Sequence, residues 1–144
     1  YKKLGTFTAT LTITDNDGGA GSAALTYNVS RRSIRGTSSP RVIRLSNAGG
    51  DDVTITLVRD LIANMDDIDV ASVRIGSVGV TRKGNGKLDY QINNRGLTIE
   101  LTFSKQALMS AGLLTSSTDE LTLTAGLTNG IQIVSQVPVN TTAR

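Results

Sequence analysis

The chain has 144 residues, enough for one large or two small domains. Hydrophobic residues make up 38% but aromatics only 3%, so any core must rest on Val, Ile and Leu. The net charge of +3 is a solubility-scale excess, and the absence of His and Cys excludes Ser-His-Asp and Cys-His centres, imidazole ligands and thiol chemistry.

Residues 6–14 read Thr-Phe-Thr-Ala-Thr-Leu-Thr-Ile-Thr. Phe7, Ala9, Leu11 and Ile13 share one face and threonines the other, the period-two signature of a strand with one apolar side. Asp15-Asn16-Asp17-Gly18-Gly19 supplies turn chemistry, because these residues tolerate positive φ and bond their own backbone. Ala23, Leu25, Tyr27 and Val29 then alternate again, so residues 5–30 are expected to form a β-hairpin. Asn28-Val29-Ser30 and, near the other end, Asn140-Thr141-Thr142 match the glycosylation sequon, a short pattern that recurs by chance.

Between residues 31 and 40 the alternation breaks. Arg31, Arg32 and Arg35 stand among Ser, Gly and Thr, and this stretch reads as a solvated basic linker with a domain boundary near 36–40. A basic cluster also suits an anionic surface or a processing site. No interleaved aromatics support nucleic-acid binding, which is not expected.

The remainder, 41–144, reads as one sandwich domain. Ile43 and Leu45 open it, and Val53, Ile55 and Leu57 alternate after a turn at 47–52. Residues 60–69 read as a loop with a helical turn near 61–65. Val73, Ile75, Val78 and Val80 follow, and a polar turn at 82–87 leads to Leu88, Tyr90 and Ile92. After a turn at 93–96, Leu97, Ile99, Leu101 and Phe103 alternate cleanly. Ser104 is positioned to cap a short helix through Ala107, Leu108 and Met109, closed by Gly112. Leu121, Leu123, Ala125 and Leu127 form another strand, Asn129-Gly130 a hairpin turn, and Ile131, Ile133, Val137 and Val139 the last. An irregular step near Val134 suggests a bulge. About seven short strands separated by turns fit an immunoglobulin-like β-sandwich better than a barrel or a βαβ fold. The fold class is therefore all-β: about seven strands and one short helix, preceded by a hairpin.

The run Gly5-Thr6-Phe7-Thr8-Ala9-Thr10-Leu11-Thr12-Ile13-Thr14-Asp15, with the turn and strand after it, resembles the last two strands of a PKD-type immunoglobulin-like domain. That family closes on a Gly-Thr-Tyr-Thr-Val-Thr-Leu-Thr-Val-Thr-Asp type of strand. The resemblance covers about thirty residues and implies a spacer or adhesion role in an exported protein, with no catalytic activity. More weakly, Asp66-Asp67-Ile68-Asp69 through Gly76, the 97–103 strand and the 107–114 turn resemble a β-rich C-terminal module of bacterial and archaeal surface proteins. That family often carries an acidic calcium loop before the equivalent of the 97–103 strand. Here that position reads Asn93-Asn94-Arg95-Gly96, with no acidic side chain.

Asp66, Asp67 and Asp69 are the densest acidic run and the candidate metal ligands, with calcium the ion they suit, although neither EF-hand spacing nor a supporting distant Glu accompanies them. Asp15, Asn16 and Asp17 read first as turn formers, and Asp51 and Asp52 are weaker candidates. With no Trp, a stacking sugar site has only Tyr1, Tyr27 and Tyr90 to draw on.

A two-stranded hairpin is marginal in water, so the apolar row Phe7, Leu11, Ile13, Leu25 and Tyr27 needs cover and is the candidate interaction surface. Upstream strands, same-chain strands or a neighbouring subunit are the expected partners, the last making a homo-oligomer by strand addition. The start at Tyr1 reads as that of an interior fragment or processed product, with any export signal upstream. No apolar run reaches membrane-spanning length, and membrane insertion is not expected. The functional expectation is a non-catalytic structural or interaction module of a secreted or cell-surface protein, with no cofactor beyond calcium. The alternative is an accessory carbohydrate- or calcium-binding module of a secreted enzyme.

Overall fold

A computed structural model describes residues 5–29, 32–46, 52–59, 64–93 and 95–143. The protein is all-β and divides into two compact units, residues 1–31 and 32–144. The expected turns at 47–52 and 61–65 fall largely outside the described residues.

The first unit is the expected hairpin. β1 (Gly5–Thr14) pairs antiparallel with β2 (Ala20–Val29) in unbroken register, from Gly5 opposite Val29 to Thr14 opposite Ala20. The sequence predicts its turn well. Asp15 Oδ1 accepts from Asp17 N at 3.0 Å and Gly19 N at 2.7 Å, and Gly18 takes φ +85°, where glycine carries no Cβ penalty.

The second unit is a β-sandwich. In chain order it contains β3 (Arg32–Ser33), β4 (Arg35–Ser39), β5 (Val42–Arg44), β6 (Val53–Val58), a 3-10 turn (Met65–Asp67), β7 (Ile68–Ile75), β8 (Val78–Gly79), β9 (Tyr90–Asn93), β10 (Thr98–Phe103), α1 (Lys105–Ser110), β11 (Glu120–Leu127), β12 (Gln132–Pro138) and β13 (Asn140–Thr142). One sheet runs β4-β6-β10-β9, and the other β3-β12-β11-β7-β8. β5 and β13 form a separate parallel pair.

The inner faces follow the alternation. Val53, Ile55 and Leu57 of β6 and Ile99, Leu101 and Phe103 of β10 are fully buried, as are Leu123 of β11 and Val73 of β7. Such burial is worth roughly 1.5–3 kcal/mol per large apolar side chain, which makes this layer the stabilising centre of the unit. Ser104 caps α1 as expected, its Oγ accepting from Ala107 N at 3.3 Å, and Gly112 follows at φ +70°.

Three expectations are corrected. Residues 32–39 are not a linker: β3 pairs in parallel with β12, and β4 pairs with β6. The inward positions there are Ile34 and Gly36, both buried, so the surrounding Arg, Ser and Thr residues concealed a strand whose apolar content is one side chain. The bulge expected near Val134 is absent, because β12 keeps regular register with β11 from Gln132 to Pro138. Buried Ser135 occupies an inward site, breaking the hydropathy pattern while the backbone alternation continues. The register shift lies instead between β11 and β7, at Thr124 to Gly126, where Ser72 Oγ accepts from Gly126 N at 2.8 Å and donates to Asp69 O at 2.6 Å. β7 also starts earlier than expected, at Ile68.

Candidate functional site

The hairpin places its predicted interaction residues on one face. Phe7 stands opposite Tyr27, Ala9 opposite Leu25 and Leu11 opposite Ala23. The Phe7 and Tyr27 rings stack with centroids 5.7 Å apart and planes 22° from parallel, a cross-strand pair that stiffens the open end. Toward the tip the face lies bare: Leu11 is 63% exposed, Ile13 65% and Leu25 69%. On the opposite face the hydroxyls of Thr8 and Thr26 lie 3.3 Å apart. The only charged residues between positions 5 and 29 are Asp15 and Asp17, so the hairpin is acidic at its tip and neutral along its strands.

The acidic trio is spread over two elements. Asp66 and Asp67 lie in the 3-10 turn and Asp69 in β7. Asp69 Oδ1 accepts from Ala71 N at 3.2 Å, while the Asp66 carboxylate lies over Gly96, where an added Cβ would come within 2.5 Å of Oδ2. Among the described residues no group of three or more His, Cys, Asp or Glu is placed to hold a metal ion.

Two open depressions on the sandwich are lined throughout by described residues. One, of ≈ 450 Å³, is lined by Thr37, Ser38, Arg41, Pro138 and Asn140 among others. The second, of ≈ 440 Å³, has Glu120 as its one carboxylate beside Leu113 and Thr122. Each offers hydroxyls and a single charged group, and neither brings two carboxylates together.

Two buried polar groups went unnoticed in the sequence. Lys105 at the start of α1 is buried, its Nζ donating to Arg44 O at 3.1 Å. Ser135 Oγ is buried with no hydrogen-bond partner among the described residues, and a Cβ at Gly36 would approach it to 2.5 Å. The close passage of β4 over β12 thus requires glycine at position 36.

A third feature is the β9 edge. Tyr90 and Ile92 stand opposite fully buried Leu101 and Ile99 and therefore share the inner face of their sheet. Yet Tyr90 is 41% exposed and Ile92 36%. The alternation at 88–92 marks a strand in the sequence, but its place at the sheet's rim comes only from topology. No known family model, curated protein or solved structure matches the chain.

Proposed function

We propose that the chain is a non-catalytic structural and interaction module of a secreted or cell-surface protein, with an immunoglobulin-like sandwich and an N-terminal hairpin that associates by strand addition. The observation that carries this reading is the apolar face of the hairpin, with Leu11, Ile13 and Leu25 largely exposed on a two-stranded sheet. Two strands give one another hydrogen bonds but no cover for an apolar face, so burial has to come from elsewhere. Both long edges of the hairpin also present backbone groups suited to pairing with further strands. A chain without His or Cys has a restricted catalytic repertoire, which favours an adhesive, spacer, surface-layer or filament role.

Size-exclusion chromatography with light scattering tests this. The 144-residue chain should form oligomers that dissociate on dilution, and Leu25→Asp, which places a charge on the apolar face, should leave a monomer. A chain that stays monomeric at all concentrations contradicts the association, and saturable glycan or calcium binding by the purified chain contradicts the purely structural role.

A further inference from the structure

The hairpin leaves its receiving surface unnamed, and the β9 edge has the matching properties. β9 is the outermost strand of its sheet, so one of its long sides lacks a strand partner among the described residues. Thr102 N donates to Asp89 O, which places Gln91 and Glu100 at a hydrogen-bonded position of the ladder. Tyr90 and Ile92 occupy the alternate positions, and their N–H and C=O groups point away from β10 toward the open side. Their side chains extend the inner face beyond its cover. An added strand would therefore find free backbone groups and an apolar row to continue.

The charges match as well. The loop before β9 carries Arg82, Lys83 and Lys87, and Lys83 spends part of its charge on Asp89 at 3.3 Å. The hairpin is acidic only at its tip, through Asp15 and Asp17. Of these, Asp15 Oδ1 is engaged by the turn itself.

We propose that the β9 edge of one copy receives the hairpin of a second copy, an inference that rests on the assembly reading above. The orientation follows from stereochemistry. Asp15 N donates to Gly19 O, so odd-numbered hairpin residues direct their backbone groups inward, between β1 and β2. Odd-numbered residues also carry the apolar face. For L-residues, continuing that face from the inner face at Tyr90 and Ile92 sets the added strand parallel to β9. Placing β2 there brings Asp15 and Asp17 to the Arg82–Lys83–Lys87 loop, whereas placing β1 there takes them to the other end of β9, where Arg95 and Arg59 stand with the Asp66 carboxylate over Gly96. The charge count selects β2. Parallel addition of a short edge strand already occurs twice in this molecule, at β3 on β12 and at β13 on β5. The contact is head-to-tail: the donor surface of one copy meets the acceptor of the next, and each copy keeps one of each.

The test uses two variants of the 144-residue chain and their mixture, measured by size-exclusion chromatography with light scattering. Leu25→Asp disables the donor, and Ile92→Lys places a charge at the acceptor edge. Each variant alone should be monomeric with cooperative thermal unfolding retained, and an equimolar mixture should form a 1:1 heterodimer, because the mixture holds one intact donor and one intact acceptor. Tyr90→Lys serves in place of Ile92→Lys if the latter loses cooperative unfolding. An Ile92→Lys chain that assembles like the parent while Leu25→Asp does not overturns the β9 assignment and leaves the assembly reading standing. A mixture that stays monomeric overturns it too, and a parent chain that is monomeric throughout overturns both.

Discussion

β1 and β10 carry nearly the same pattern, and their fates differ. Phe7, Ala9, Leu11 and Ile13 alternate with threonines, as Ile99, Leu101 and Phe103 alternate with Thr98, Glu100 and Thr102. In β10 the apolar row is fully buried between neighbouring strands and an opposing sheet, while in β1 Leu11 and Ile13 are about two-thirds exposed. Alternation thus decides that a segment is a strand and which face is apolar. Whether that face is covered depends on how many strands the unit contains. The hairpin has two, the sandwich sheets four and five.

Substitutions should separate the two units sharply. Leu101→Ala removes atoms from a closed core and should cost ~2–5 kcal/mol in urea unfolding. Ile13→Ala, measured at a dilution where the chain is monomeric, should stay within about 0.5 kcal/mol, as surface changes do. Equal costs at the two positions would mean that the hairpin face is covered within the monomer.

Glycines provide a second contrast. At Gly36 an added Cβ meets Ser135 Oγ at 2.5 Å and Val137 Cγ2 at 2.8 Å, so Gly36→Ala should destabilise by ~1–3 kcal/mol through overpacking. At Gly21 in β2 a Cβ meets nothing within 4 Å, and Gly21→Ala should be neutral or stabilise the hairpin by about 0.5 kcal/mol, read from amide exchange across β1 and β2. The local cap is worth less than packing: Ser104→Ala should lower sandwich stability by about 1 kcal/mol by leaving the Ala107 amide without its acceptor. Ser135→Ala removes a buried hydroxyl with no partner among the described residues and should be neutral or stabilise by up to about 1 kcal/mol. In a double-mutant cycle it should also reduce the cost of Gly36→Ala, since the two groups meet. Purely additive effects would mean that the close approach of β4 to β12 relaxes without strain.

Most of the strand pattern could be read from the sequence, because β6, β10, β11 and the hairpin each carry one apolar face. The helix cap and the Asp15–Gly19 turn were equally readable, being local and set by residue type. What escaped was chemistry that only topology creates. The segment 32–39 buries a single Ile and a glycine, too little to register as an apolar strand. Ser135 sits inward in regular register where the sequence suggested a bulge near Val134. The exposure of Tyr90 and Ile92 depends on β9 ending its sheet, and four residues of sequence carry no sign of that. The five candidate interaction residues of the hairpin could be read as one face, whereas the proposed receiving edge needed the ladder's hydrogen-bond phase.

The most direct measurement of whether association closes the hairpin is amide hydrogen exchange at several protein concentrations. Amides in β6 and β10 should be strongly protected throughout, while those of β1 and β2 should exchange readily when dilute and gain protection as the concentration rises. Hairpin protection that is the same at every concentration would contradict closure by a second copy.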